Sequence, residues 1–436
     1  MMSSNHRPLL LSRRFAPLFM VQFLIAFNGN FAKTAMLFLV AFGLVGSDDS
    51  LGIEPSLFSA LAAGIFVAPF FLFSATAGRL ADRADKARLI RILKVYETAV
   101  MVFAAAVLLQ ASVPLMLVAL FLIGCQSAFF GPVKYAIIPQ HVSPDEVLSA
   151  TGYVEAGTFV AILLGQIVGG IAPIQAAAGA IIAVSLAGLA VSFSIPPAPP
   201  VSSADPPRVA TIPFAETFRI VRSAARNLRL WCAILAISWF WGIGALATSQ
   251  LIVMVEAELF ASTVVATLFL TIFSIGISLG SLLAARMLNG EISARLLPMA
   301  TLGMSIGLSL LIAATRIAVP QAQALGIADF IFTPTGPLAI AGLSIMAVCG
   351  GVFVVPLYAI LQTAGNAETR SRDVAANNIM NAIAMVLAAA LAAVLTSQGA
   401  KVSTIFLLVT IANLGVAAAA FAMRRGIAFS RKIGRG

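Results

Sequence analysis

The sequence predicts an all-α membrane protein: twelve transmembrane helices in two six-helix bundles, with both termini cytoplasmic. Three observations carry that expectation. The 436-residue chain is 60% hydrophobic and only 10% charged, with a mean hydropathy of +1.02, which is more apolar surface than one or two water-soluble cores can bury. Mostly apolar runs of about 17 to 25 residues recur along it, each long enough to cross a hydrocarbon core of about 30 Å as a helix. The basic residues collect in alternate connectors, which places those connectors on one side of the bilayer if every run crosses once.

Arg7, Arg13 and Arg14 precede the first run, 17–45, which is too long for a cleavable signal and lacks a small-residue cleavage pattern, so it is expected to stay as the first helix. The acidic connector Ser47-Asp48-Asp49-Ser50 leads to 57–78. Next comes the most charged connector of the chain, Gly78-Arg79-Leu80-Ala81-Asp82-Arg83-Ala84-Asp85-Lys86-Ala87-Arg88, before 89–109. The runs 114–130, 154–172 and 176–193 complete the first half. Pro196-Pro197-Ala198-Pro199-Pro200 and Pro206-Pro207 then interrupt the series.

Residues 214–230 set Phe214, Phe218, Val221 and Leu228 against Arg219, Arg222, Arg226 and Arg229, the pattern of a helix lying on an anionic membrane surface. The second half holds 231–255, 264–285, 298–314, 338–361, 377–395 and 403–423, with Arg370 and Arg372 before the eleventh run and a basic tail to Arg435. The domains expected are therefore 1–193, a cytoplasmic linker over 194–230, and 231–436. The pI near 10.2 reflects this topology and not a nucleic-acid partner.

The halves carry a faint repeat. Tyr135-Ala136-Ile137 has a counterpart in Tyr358-Ala359-Ile360, and 150–155 aligns with 376–381, which makes Glu155 and Asn381 equivalent.

Polar residues inside apolar runs are the candidates for function, because an ionisable group costs about 2.5 to 3.5 kcal/mol at mid-bilayer. Gln22, Asn30 and Lys33 share a face of the first helix, within roughly 80° at 100° per residue. Lys33 reads as a phosphate contact, or as a structural partner of Glu155 or another acid. Glu155, Thr158 and Gln166 form a polar stripe on the fifth run, and Gly165, Gly169 and Gly170 let a neighbouring helix come close. For Glu155 a substrate or gating role and a structural pairing weigh equally. Glu97 is expected to form an interfacial pair with Lys94, and Asn377, Asn378 and Asn381 to cap the start of the eleventh helix, the favoured role, or to hydrogen-bond across helices. Trp239 and Trp241, with Thr248, Ser249 and Gln250, read either as a cavity wall or as interfacial anchors.

Gly78 permits a sharp turn, and Asp82 can accept hydrogen bonds from amides at a neighbouring helix N-terminus, which together make a latch. Cys125, Cys232 and Cys349 read as core residues, with no disulfide framework or metal site. His6 and His141 lie outside the runs, and no phosphate-binding glycine loop is present, so neither an enzyme nor a cofactor is expected.

The Gly78 to Arg88 connector resembles the signature loop of the major facilitator superfamily, although Asp85 stands where that family more often has glycine. The resemblance implies that Asp82, with Gly78 and Arg83, ties the second and third helices to the eleventh near Asn377 when the carrier is open to the outside. Further stretches are similar to the lysophospholipid transporter family within it, above all to the transporter half of acyltransferase/acyl-ACP synthetase fusions. They are Phe27-Asn28-Gly29-Asn30 with Lys33, Phe130-Gly131-Pro132-Val133-Lys134-Tyr135, Ser238-Trp239-Phe240-Trp241, Val355-Pro356-Leu357-Tyr358-Ala359 and Ala375-Ala376-Asn377-Asn378. Gly29 occupies the place of that family's aspartate. Lys134 and Trp241 lie in these stretches and join Glu97 and Asn381, noted above, as further candidates.

The resemblance implies inward movement of lysophospholipid from the outer to the cytoplasmic leaflet of a bacterial inner membrane by alternating access, for reacylation. The implied partners are lysophospholipid or another amphipathic substrate, membrane lipid and a separate acyltransferase. The alternative is proton-coupled efflux of amphipathic small molecules, for which Glu155 or Glu97 would titrate.

Overall fold

The computed structural model describes residues 8–41, 55–201, 213–321 and 323–433. Arg7, His6, the acidic connector at 47–50, Pro206, Pro207 and Arg435 lie outside them. The helices are α1 (Ala16–Ala41), α2 (Pro55–Arg83), α3 (Lys86–Gln110), α4 (Val113–Ala136), α5 (Ile138–His141), α6 (Val147–Ile171), α7 (Ile174–Ser192), α8 (Pro213–Ala225), α9 (Leu228–Ala257), α10 (Thr263–Leu288), α11 (Leu297–Ile317), α12 (Ile327–Phe332), α13 (Thr335–Thr363), α14 (Arg370–Ser397) and α15 (Val402–Ile433). Eleven are long and apolar enough to cross a membrane, and α15 supplies the twelfth with its apolar stretch Val402–Ala418. Their outward faces carry Leu109, Val118, Leu387 and Ile411 in the open, which a membrane protein turns to lipid. The chain is a multi-pass, all-α membrane protein.

Two expectations about helix ends are corrected. Gly78 makes no turn: α2 runs on to Arg83 and only Ala84 and Asp85 separate it from α3. Helix 14 starts at Arg370, so Asn377, Asn378 and Asn381 are interior residues and not caps. In both cases the helix continues past its apolar stretch into charged sequence, because backbone hydrogen bonding does not stop where hydropathy does. Asp85 is the N-cap of α3, accepting from the Arg88 amide at 2.9 Å.

The chain divides into two compact units. One comprises Met1–Leu235 with Tyr358–Ala382, and the other Ala236–Leu357 with Ile383–Gly436. The first unit therefore holds the adjoining ends of α13 and α14 as well as α1 to α8. Its core packs Phe31, Met36, Phe58, Met101, Met116 and Leu120 between α1, α2, α3 and α4. The α6 glycines do what their spacing predicts: Gly165 and Gly169 lie against the α1 backbone at Phe27 and Phe31, where any side chain would intrude. In the second unit Asn413 on α15 donates to the Thr301 carbonyl and the Ser305 hydroxyl of α11 at 2.9 and 3.0 Å, and accepts from Trp239 Nε1 at 3.0 Å. That polar knot makes Trp239 a helix-to-helix contact.

The start of the proline-rich run is docked against the first unit. Arg91 donates to the Ile195 carbonyl (3.0 Å), Gln140 to that of Pro199 (3.1 Å) and His141 Nε2 to that of Pro196 (3.1 Å), while the Ala198 amide reaches Asp85 Oδ2 (3.0 Å). Burial holds the His141 pKa below the ordinary 6.5, against the upward pull of the Pro196 and Pro197 carbonyls. An undocked imidazole thus takes up its proton at higher pH than the docked one. Docking is fully favoured above 6.5 and weakens as pH falls below it. Hydrogen exchange at Ile195 and Ala198, corrected for intrinsic rate, is expected to rise on acidification relative to a His141→Gln variant.

Candidate functional site

The latch is formed inside the first unit. Asp82, near the end of α2, accepts from the Ser371 amide at 2.8 Å and from Arg372 Nε at 2.9 Å, so its carboxylate sits on the N-terminal turn of α14. That turn presents amides without intrahelical partners and the positive end of the helix dipole, which is where an anion is favoured. The contact falls at Ser371 and Arg372 rather than at Asn377, because α14 begins before its apolar stretch. Asn377 is fully buried more than a turn further in, and Arg83 is exposed at the last residue of α2. Gly78 provides the clearance. A Cβ there would lie 2.7 Å from that of Ala375 and 3.0 Å from the Ser371 carbonyl, so only glycine lets α2 and α14 approach this closely.

A second cluster joins α4, α6 and the end of α13. Tyr135 donates its hydroxyl to Glu155 Oε1, and its ring stacks on Tyr358 at 4.3 Å with 14° between the planes. Glu155 is fully buried, and its Oε2 has no hydrogen-bond partner among the described residues. Lys134 donates to Thr158 Oγ1 at 2.9 Å and lies over the Tyr135 ring at 4.9 Å. Gln22 of α1 closes the group by donating to the Lys134 carbonyl at 3.2 Å, and Gln362 of α13 reaches Thr151 Oγ1 at 2.9 Å. The structure thus brings together Gln22, Lys134, Glu155 and Thr158. Gln166, two turns further along α6, is half-buried and outside this cluster.

Lys33 stands apart from these groups. It is half-buried on α1 with its ammonium 5.2 Å from the centre of the Phe66 ring, and among the described residues it has no acidic partner. Asn30, one turn before it, spends its amide nitrogen on the Ala26 carbonyl of its own helix (2.8 Å). The three α1 residues thus meet different partners: Gln22 the Lys134 carbonyl, Asn30 its own helix, and Lys33 the Phe66 ring.

Glu97 does pair with Lys94, at 2.8 Å, and the pair is enclosed by protein: the two side chains are 2% and 0% exposed. Gln126 approaches the other carboxylate oxygen at 3.4 Å. A buried pair broken on one side costs about 3 to 5 kcal/mol, whereas replacing both members with apolar groups is near neutral. Lys94→Met is expected to lower the melting temperature by many degrees and Lys94→Met/Glu97→Leu to recover most of it, read by thermal unfolding in detergent. Trp241 is half-buried and packs edge-on against Phe240, while Asn378 sets its amide against Gly131 of α4 and Asn381 is buried one turn on.

The residues missed by sequence reasoning as a site are Tyr135, Tyr358, Ser371 and Arg372, together with the Arg79–Glu216 pair (3.3 Å) that fastens α8 to α2. The tyrosines had a signal, since the internal repeat put them at equivalent places. Ser371 and Arg372 had none in an apolarity profile.

Comparison with known proteins follows the same lines. The family model described as Major Facilitator Superfamily matches residues 18–328. A protein named lysophospholipid transporter LplT from Serratia proteamaculans (strain 568) is 28% identical over 389 residues, covering 87% of each chain. One of the same name from Yersinia pestis (strain Pestoides F) is 27% identical over 403 residues, covering 90% of this chain and 89% of its own. Among solved structures, the human organic anion transporter MFSD10 superposes with a TM-score of 0.68 at 16% identity, covering 91% of this chain and 99% of its own. The Major Facilitator Superfamily transporter FucP in the outward conformation also gives 0.68, at 14% identity, covering 93% and 97%. At such identities the structural likeness speaks for the fold alone.

Proposed function

Because the chain belongs to the major facilitator superfamily, we propose that this membrane transporter carries lysophospholipids from the outer to the cytoplasmic leaflet of a bacterial inner membrane. The name shared by its sequence relatives supplies the substrate class. The observation in this chain that carries the reading is Lys33, a cation within a spanning helix, over an aromatic ring and without an acid to neutralise it among the described residues. Such a group is costly unless a ligand uses it, and a phosphodiester is the anion a lysophospholipid offers. The acyl chain can stay in lipid throughout, since each CH₂ kept there is worth about 0.8 kcal/mol. Only the headgroup needs a polar route.

In this reading the halves 1–193 and 231–436, joined by 194–230, rock about that route with both termini cytoplasmic. In the same reading the Asp82 contact and the Tyr135–Tyr358 stack hold the cytoplasmic side shut during part of the cycle, and Glu155 releases or secures the tyrosines. The delivered lysophospholipid is then reacylated by a separate acyltransferase.

A second reading, proton-coupled efflux of amphipathic molecules, is favoured by the unpartnered Oε2 of the buried Glu155. Liposomes holding the protein and given labelled lysophosphatidylethanolamine, with and without a proton gradient, separate the two. Inward transfer that ignores the gradient supports the first. Absence of transfer under both conditions defeats it, and gradient-dependent extrusion of a cationic dye in its place establishes the second.

A further inference from the structure

We propose that the outward face of α8 is a docking surface for anionic phospholipid, and that lipid bound there tightens the Asp82 latch. Along α8 the residues sort cleanly by face. Glu216, Ile220 and Ala224, four apart, are buried, whereas Phe218, Arg219, Arg222 and Arg226 are exposed. The exposed set continues into Leu228 and Arg229 at the opening of α9, with Phe218 and Leu228 67% and 74% exposed. Four arginines thus stand against one glutamate over 213–230, and that glutamate is turned inward. Arg222, Arg226 and Arg229 have no ion pair among the described residues.

The occupant follows from this chemistry and from position. Only Arg226 and Asn227 separate α8 from a spanning helix, so the arginines are held at the membrane–water boundary. Exposed phenylalanine and leucine interleaved with cations match a leaflet, whose acyl boundary takes the apolar side chains while its phosphates take the guanidinium groups. An acidic protein or a nucleic acid would meet the cations but leave Phe218 and Leu228 in water.

The inward side of α8 reaches the latch by two routes. Glu216 holds Arg79 at 3.3 Å, both side chains less than 10% exposed, and Arg79 is one helical turn before Asp82. Just past the other end of α8, in the turn to α9, Asn227 donates to the Ala364 carbonyl at 2.9 Å, between α13 and α14. Helix 8 therefore braces both partners of the Asp82–Ser371 contact. Lipid that presses α8 onto α2 favours the engaged latch, and its loss frees α8 and loosens the turn that carries Asp82.

The test needs no transported substrate, so it fails or succeeds independently of the proposed transport. Ser371→Cys is fully buried beside Asp82 and nearly isosteric with the native residue, so its thiol-labelling rate, in a background with Cys125, Cys232 and Cys349 changed to serine, reports latch opening. In nanodiscs of phosphatidylcholine, adding phosphatidylglycerol is expected to slow labelling roughly tenfold, given three unpaired arginines at the leaflet. Arg222→Gln/Arg226→Gln/Arg229→Gln should abolish the slowing while leaving the rate in phosphatidylcholine alone unchanged. Glu216→Gln should still retain spin-labelled phosphatidylglycerol yet respond less in labelling, because one of the two routes is lost. A rate indifferent to phosphatidylglycerol, or a response that survives the triple substitution, overturns the proposal. So does equal slowing by soluble inorganic phosphate, which would mark a general anion site and not a lipid surface.

Discussion

Asp82→Ala is expected to raise the thiol-labelling rate at Ser371→Cys by about a hundredfold and to reduce transport to near background. The carboxylate makes two hydrogen bonds at 2.8 and 2.9 Å, one of them to a guanidinium. Hydrogen bonds to charged groups contribute about 1.5 to 3 kcal/mol each. Because Arg372 is about one-third exposed and therefore screened, we take the lower end for it, which leaves about 3 kcal/mol in total. Asp82→Asn keeps an acceptor for the Ser371 amide and loses the charge, so it should fall between wild type and alanine. Labelling that is equal in all three proteins would show that the latch does not hold this side shut. Gly78→Ala works on the same contact through space and should move labelling in the same direction.

Lys33→Ala is expected to cut lysophospholipid transfer by about tenfold to a hundredfold, the cost of one charge-assisted bond to phosphate. The sign of its effect on stability discriminates between roles. Removing one member of a buried ion pair destabilises by about 3 to 5 kcal/mol. Removing a cation that, as among the described residues here, has no acid relieves an unfavourable insertion term of about 2.5 to 3.5 kcal/mol. The melting temperature in detergent should therefore hold or rise while transfer falls. Intact transfer would remove Lys33 from the site, and a large loss of stability would make it structural. Gly29→Asp offers the converse: only Ile123 lies near the added Cβ, at 3.8 Å, and the carboxylate would stand one turn from Lys33 and compete for it.

Helix number and the membrane setting were legible in the chain, because each rests on a local property, and Asp82 stood out in the most charged connector. Twenty apolar residues need a bilayer whatever surrounds them, and a charged connector between two such runs has nowhere to lie but the interface. Lys33 was legible for the same reason, as an ionisable group in a costly place. Its partners were not. Sequence spacing placed Gln22, Asn30 and Lys33 on one face, and only the packing of α4 against α1 took Gln22 away to the Lys134 carbonyl. Whether Glu155 would meet Lys33 was equally undecidable until Tyr135 was found beside it.

Composition and periodicity by themselves thus determined what kind of protein this is and which residues are too expensive to be idle. The tertiary structure alone decided which of them meet: Asp82 with Ser371, Glu155 with Tyr135, Glu216 with Arg79. The physical reason is range. Hydropathy and helix propensity act within a few residues of chain, whereas the partner of a buried polar group is chosen by helices that cross it from as far as 290 positions away.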